Sequence, residues 1–148
     1  MTTIVYDHKN KQIATDGRLT KGGSTIISDK HIKYVKNDVG IWFFTGDVCD
    51  QKGFMNCYDK EEVQQAVTYN ASAILVIGED VYSAYMDDGY FCKMLIDHNE
   101  CKGSGELLAL AALDFGNSAS QAVEYAMTRD MFTGGKVSVY DIEKGEFL

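Results

Sequence analysis

Residues 2–17 read TTIVYDHKNKQIATDG, two short runs of β-branched and aromatic residues separated by a polar segment. The runs at residues 3–6 and 12–15 have the composition of strands, and the polar residues 8–11 between them are typical of a turn. Strands this close together pair as an antiparallel hairpin. Asp16 and Gly17, which follow the second run, form a further turn signal. This end of the chain is therefore expected to be a β-hairpin.

Strand and helix signals occur in separate blocks along the rest of the chain. Apolar spacing between residues 47 and 67 predicts one or two short helices, and an alanine- and leucine-rich stretch predicts a helix over 105–115. Ser118 has Gln121 three residues later, a capping-box pattern that predicts a helix over 119–129. Blocks of this kind favour an α+β fold in layers, and no linker divides the chain, so residues 1–148 are predicted to form one domain. Further strands are predicted at 24–27, 32–35, 40–44, 73–77, 81–86, 90–96 and 136–142.

Composition excludes several classes of function. The 148 residues carry a net charge of −8, which disfavours nucleic acid as a partner. The longest apolar run is far too short to cross a bilayer, and the N-terminus lacks the features of a signal peptide, so no membrane partner and a cytoplasmic location are expected. The four cysteines have no CxxC spacing, which predicts reduced thiols and no metal or other cofactor.

Five short segments occur in an order and spacing that resemble proteasome β-type subunits and HslV-type proteases, members of the N-terminal-nucleophile hydrolases. The resemblance implies a four-layer αββα sandwich of two antiparallel sheets flanked by helices. The region between Gly46 and Ala73 is short for the usual pair of long helices, so a shortened first helical layer is expected. The five segments are residues 1–5 with 14–18, residues 32–35, Thr45-Gly46 with Asp50, residues 103–105 and residues 130–135.

The resemblance also implies a catalytic site. The Thr2 hydroxyl would be the nucleophile and its own α-amine the base, which requires that Met1 be removed. Lys33, oriented by Asp16, would lower the pKa of that amine. The backbone N–H of Gly46 would stabilise an oxyanion. The residues implied to support the terminal amine are Ser104, Asp130 and Thr133.

A mainly apolar substrate pocket is implied next to this site, with Thr20 also binding peptide backbone as an added strand. Asp47 departs from the family pattern, which usually has a small uncharged residue there. Its carboxylate is expected either to point away from the oxyanion or to reduce activity. The implied pocket residues are Leu19, Thr20, His31, Val35, Phe44 and Val48.

Three functions are compatible with these residues. The first is a threonine peptidase that cleaves peptides or unfolded proteins through an acyl-enzyme on Thr2. The second is a catalytically silent assembly or interaction protein of the same fold, and the third is an amidohydrolase for a small molecule. The peptidase would act as a homo-oligomer and would need a separate ATPase unfoldase for folded substrates, because the chain has no P-loop motif.

Overall fold

The computed structural model describes residues 2–148, and its frame is a pair of five-stranded antiparallel sheets. The first sheet has the strand order β10-β1-β2-β11-β12, and the second has the order β5-β6-β7-β8-β9. The strands β3 and β4 form a separate hairpin. The strands are β1 (Thr3–Asp7), β2 (Gln12–Thr15), β3 (Leu19–Lys21), β4 (Thr25–Ser28), β5 (Tyr34–Lys36), β6 (Ile41–Gly46), β7 (Ala71–Ile77), β8 (Asp80–Asp87), β9 (Tyr90–Leu95), β10 (Glu100–Gly103), β11 (Ser138–Asp141) and β12 (Glu146–Phe147).

The two sheets pack face to face through a shared apolar core. Ile4 and Tyr6 of β1 belong to the same buried cluster as Phe43 of β6 and Ile74 of β7. Val5, which lies between Ile4 and Tyr6, faces the opposite side of its sheet and packs under the helices. Successive side chains of a strand point to opposite faces, and here both faces are covered. This explains why β1 is buried along its whole length.

Two helices, α2 (Glu106–Asp114) and α3 (Ala119–Met127), cover the outer face of the first sheet. Their buried residues are mostly alanines, which let the helices approach the sheet closely. Ser118 caps α3 as the sequence predicts: its Oγ accepts from the Gln121 N–H at 3.2 Å, and the Gln121 side chain accepts from the Ser118 N–H at 2.9 Å. The predicted helical pair at 105–115 and 119–129 is confirmed to within two residues at each end.

The outer face of the second sheet has the shortened helical layer that the sequence predicts. It consists of a 3₁₀ turn at Val48–Asp50, the short helix α1 (Gln51–Met55) and an irregular segment over residues 56–70. Phe54 of α1 is completely buried against Trp42 of β6 and Phe91 of β9. A single short helix therefore covers an aromatic core that would otherwise be exposed.

Of the one or two short helices predicted between residues 47 and 67, the structure has one, α1, and residues 61–67 are not helical. Val63 and Val67 have the spacing of one helix face, but they are 56% and 57% exposed, so neither side chain packs in a core. The backbone instead pairs with the turn between β8 and β9, where the Gln65 N–H donates to the Gly89 carbonyl at 2.8 Å. Short helices are stable mainly through packing of an apolar face, and here such packing is missing.

Three strands were not predicted: β3, β10 and β12. They are two to four residues long, and β3 and β10 contain lysines that mask a strand pattern. The strand predicted at 32–35 begins two residues later, at Tyr34. The segment before Tyr34 bonds to the turn after β2 instead, because the His31 N–H donates to the Gly17 carbonyl at 2.9 Å.

Candidate active site

Thr2 and Lys33 meet at the end of the sandwich where β1 begins. The Lys33 Nζ donates a hydrogen bond to the Thr2 Oγ1 and another to the Arg18 carbonyl. Both side chains are buried, with Thr2 3% and Lys33 6% exposed. Lys33 is fixed along its backbone too, because its carbonyl accepts from the Phe44 N–H of β6 at 2.8 Å. The geometry thus presents a cation directly to one hydroxyl.

Asp16 orients this lysine from the turn after β2. Its Oδ1 lies 3.8 Å from the Lys33 Nζ and accepts from the Thr3 N–H at 3.2 Å. Its Oδ2 accepts from the N–H groups of Arg18 at 3.3 Å and Gly134 at 3.0 Å. Three backbone donors fix the carboxylate, so Asp16 can hold the ammonium in one position.

Burial moves the pKa values of this ion pair toward each other. Burial raises the pKa of Asp16, and the Lys33 ammonium and the three backbone N–H groups oppose that rise. Burial likewise lowers the pKa of Lys33, and Asp16 opposes the fall. Either charge, buried without its partner, would destabilise the folded protein, and each stabilises the other.

A second cluster of hydroxyls surrounds Asp130. The Oδ2 of Asp130 accepts from the Ser104 Oγ at 2.5 Å and from the Thr133 Oγ1 at 2.6 Å. Thr133 Oγ1 also contacts the Thr3 Oγ1 at 2.6 Å, and the Ser104 Oγ lies 3.5 Å from the Thr2 carbonyl oxygen. This chain of hydrogen bonds connects Asp130 to the residue next to Thr2.

The hydroxyls keep Asp130 ionised. Burial raises the pKa of Asp130, but the hydrogen bonds from Ser104, Thr133 and the Phe132 N–H outweigh it, and the pKa lies below its usual value. A depressed carboxyl pKa contributes stability above the unfolded-state pKa, and that contribution is lost as pH falls through the folded-state pKa.

We expect Asp130→Asn to lower the urea midpoint of unfolding at pH 7, with the deficit shrinking as the pH falls below about 3.8. Asn keeps the size of the side chain but not the charge. Urea titrations of both proteins at pH 7 and pH 3 measure the difference. A deficit of the same size at both pH values would contradict an ionised Asp130 as its cause.

Gly46 ends β6 with a backbone conformation that other residues adopt rarely. Its φ is +106°, and a Cβ at this position would lie 2.3 Å from the Asn70 carbonyl oxygen. The Phe44 N–H, two residues earlier, points to Lys33. Because N–H directions alternate along a strand, the Gly46 N–H is directed toward the same edge of β6. A hydrogen-bond donor is thus available on the side where Thr2 and Lys33 lie.

Three of the six predicted pocket residues, Leu19, Thr20 and Val48, line one cleft of about 460 Å³, which Gly46 also lines. His31 lines a different cleft, with Lys136 and Leu148. Val35 and Phe44 pack in the aromatic core on the outer face of the second sheet, where Phe44 is 1% exposed. Asp47, which departs from the family pattern and was not predicted for the pocket, lines the same cleft.

Thr3 and Arg18 contribute to the site although the sequence did not single them out. Thr3 is completely buried and bonds to both Asp16 and Thr133. The Arg18 carbonyl accepts from Lys33, and its guanidinium bonds to the Asp29 carboxylate at 2.8 Å and 3.2 Å. The adjacent pair Thr2-Thr3 is a visible sequence signal, but a backbone carbonyl such as that of Arg18 leaves none.

Other kinds of site receive no support from the described residues. Across residues 2–148, no three His, Cys, Asp or Glu side chains converge to hold a metal ion. In the same range, no helix is both long and apolar enough to cross a membrane. The four cysteines are free thiols, and burial raises the pKa of Cys101 to about 12. Met1, whose removal the sequence analysis requires, lies outside the described residues.

Known structures of the same architecture were found, although no family model and no curated protein matches the chain. HslV from Trypanosoma brucei superposes with a TM-score of 0.73 and 20% identity, over 93% of this chain and 97% of that one. The chain has the proteasome β/HslV-type fold. BPH from Thiobacillus denitrificans, solved in complex with epoxomicin, has this fold too, with a TM-score of 0.69 and 14% identity over 94% of this chain and 97% of that one.

The comparison confirms the predicted fold class. The two known structures superpose over 93% and 94% of this chain, so the β/HslV-type sandwich accounts for nearly all of it. The shortened helical layer over the second sheet is accommodated within that fold. Identities of 20% and 14% show a shared fold alone.

Proposed function

We propose that this protein is a threonine peptidase that cleaves peptide bonds through an acyl-enzyme on Thr2. The observation that carries the proposal is the buried Lys33 ammonium that donates to the Thr2 hydroxyl. Such a contact favours the alkoxide and lowers the pKa of an amine close by. A structural threonine at the start of a strand has no need of a buried cation.

The reaction begins when Thr2 is the first residue and has a free α-amine. With an ordinary pKa of about 7.7–8.0, this amine can act as a general base near neutral pH. It takes the proton from the Thr2 hydroxyl while Oγ1 forms a bond to the carbonyl carbon of the substrate. The negative charge that develops on the carbonyl oxygen is stabilised by the Gly46 N–H.

The intermediate then breaks down in two steps. The ammonium returns its proton to the leaving amine as the C–N bond breaks, which leaves an ester between the substrate's acyl group and Thr2 Oγ1. A water molecule, activated by the same amine, hydrolyses the ester and restores the hydroxyl. Throughout, Asp16 keeps Lys33 charged and in place, and the cluster of Ser104, Asp130 and Thr133 supports the amine.

The substrates that fit this proposal are peptides or unfolded proteins bound as an extended strand. The cleft that contains Gly46 is also lined by Leu19 and Thr20 of β3, which can pair with such a strand. A homo-oligomer with a separate ATPase unfoldase belongs to the same proposal. The support for assembly is the fold shared with HslV and a proteasome β-type subunit.

The role of the α-amine can be tested with two forms of the chain. One has Thr2 as its first residue, released by cleavage of an N-terminal fusion, and the other keeps Met1. With a fluorogenic peptide, the first is expected to be at least ~10²-fold more active, because a general base contributes about that factor or more. Intact-mass measurement verifies each N-terminus.

Equal rates of the two forms would rule out the amine as the base. Hydrolysis by neither form would favour the alternative of a catalytically silent protein with this fold. A mass increase of the Thr2 form by one acyl group, trapped with a slow peptide ester, would place the intermediate on the protein directly.

A further inference from the structure

The cleft that Gly46 lines has one carboxylate among its lining residues and no Lys or Arg to balance it. Among the residues that line it, Asp47 is the only Asp, Glu, Lys or Arg. Asp47 follows Gly46 directly in the chain, is exposed and lines the cleft, so its carboxylate is accessible to a substrate bound there. The whole chain is also acidic, with a net charge of −8.

Asp47 is fixed in position rather than free to turn away. Its N–H donates to the Asn70 carbonyl at 2.8 Å, and its Oδ2 accepts from the Asn70 Nδ2 at 3.0 Å. The Asn70 N–H is held in turn by the Oδ2 of Asp50 at 2.7 Å. Within residues 2–148, the second carboxylate oxygen of Asp47, Oδ1, accepts no hydrogen bond, so it is available to a ligand.

A fixed negative charge next to Gly46 has a cost for catalysis. If the Gly46 N–H receives a developing oxyanion, the neighbouring carboxylate repels it. A cation supplied by the substrate removes this repulsion and gains an ion pair. One residue of extended peptide spans about 3.3–3.6 Å, so a side chain within one or two residues of a scissile bond held at Gly46 would reach this cleft.

We propose that Asp47 makes the enzyme prefer peptides with a lysine or arginine side chain within two residues of the scissile bond. This inference rests on the proposed peptidase function and specifies its substrate class. Asp47 acts here as a specificity residue that contacts the substrate, and Thr2 and Lys33 carry out the chemistry. Since the ion pair is partly exposed, the preference is modest and sensitive to salt.

The test uses two fluorogenic peptides that differ only in lysine or norleucine at one position near the scissile bond. The wild-type protein is expected to show a kcat/KM about three- to fivefold higher for the lysine peptide, as for an exposed ion pair. Asp47→Asn should lower kcat/KM for the lysine peptide and raise it for the norleucine peptide. Asp47→Lys should reverse the preference, and 0.5 M NaCl should shrink it in the wild type.

Asp114→Asn is the matched control, because it removes the same charge from an exposed residue of α2, outside the cleft. Its ratio of the two kcat/KM values should equal that of the wild type. A substitution that only damaged the fold would lower both rates together and could not produce opposite changes. An unchanged ratio in Asp47→Asn, or equal rates of the wild type on both peptides, would overturn the inference.

A measurement of peptide binding tests the role of Asp47 independently of peptidase activity. Labelled lysine and norleucine peptides can be titrated into Thr2→Ala protein and followed by fluorescence anisotropy. The lysine peptide should bind more tightly, and the addition of Asp47→Asn should remove the difference. If the wild type hydrolyses neither peptide, the peptidase proposal fails, and the binding difference still supports or refutes the role of Asp47.

Discussion

Replacing Thr2 with alanine is expected to abolish peptide hydrolysis while leaving the fold intact. Without the hydroxyl no acyl-enzyme can form, and loss of a nucleophile that works together with its base costs ~10³-fold or more in kcat. Lys33 keeps its contacts with the Arg18 carbonyl and Asp16 in this variant. The expected loss of stability is therefore only that of one hydrogen bond to a charged group, about 1.5–3 kcal/mol.

Thr2→Ser is the matched control, because it removes only a methyl group and keeps the hydroxyl. It should retain measurable hydrolysis and form the same acyl adduct, detected by intact mass. Circular dichroism and urea titration of all three proteins establish that each is folded. Wild-type rates in Thr2→Ala would refute Thr2 as the nucleophile.

The second large effect is expected when Lys33 is replaced by methionine. Activity should fall by about 10²–10⁴-fold, because the cation that favours the Thr2 alkoxide is lost. Stability should fall by about 3–5 kcal/mol, because the Asp16 side chain stays fully buried without its partner charge. Urea titration and peptide hydrolysis measure the two effects separately.

A double variant distinguishes the structural role of Lys33 from its catalytic role. Lys33→Met with Asp16→Asn removes both buried charges, so part of the lost stability should return while activity stays low. Lys33→Arg keeps the charge, but its planar guanidinium cannot replace the Nζ at Thr2, so it should also restore little activity. Recovery of activity in the double variant would contradict a catalytic role for the cation.

The pH dependence of the single variant has a defined sign. Burial already raises the pKa of Asp16 in the wild type, and removal of Lys33 takes away the largest opposing effect. The folded variant therefore binds a proton at pH values where the unfolded chain, with a carboxyl pKa of 3.8, does not. Its deficit in stability should shrink as pH falls through the raised pKa, and it should be largest above it.

The predictions that succeeded rest on signals confined to a few neighbouring residues. The capping box at Ser118 and the strand runs at 3–6 and 12–15 are local patterns, and the structure confirms all three. Residues 61–67 have helical spacing of apolar residues but form no helix, and that spacing alone does not tell whether a core lies opposite them. The short strand β10 was not predicted, because its pairing partner, β1, is almost a hundred residues away in the chain.

For the candidate site too, the structure brings some of the predicted residues together and places others elsewhere. Thr2, Lys33 and Asp16 could be chosen from the sequence through a resemblance in short motifs, and the structure brings their side chains together. Phe44 and His31 were chosen in the same way, but Phe44 lies in the core and His31 lines another cleft. The direction in which a strand residue points depends on register, and a single residue's shift sends its side chain to the other face.

The sequence alone determined the class of fold and the chemical types available to the site: strand and helix blocks, a threonine at position 2, and lysine and aspartate at fixed spacings. Only the tertiary structure decided which of them are neighbours. It buries Lys33 against the Thr2 hydroxyl and fixes Asp47, next to Gly46, against Asn70. The physical reason is that burial and charge proximity, which set reactivity, arise from packing between segments far apart in the chain.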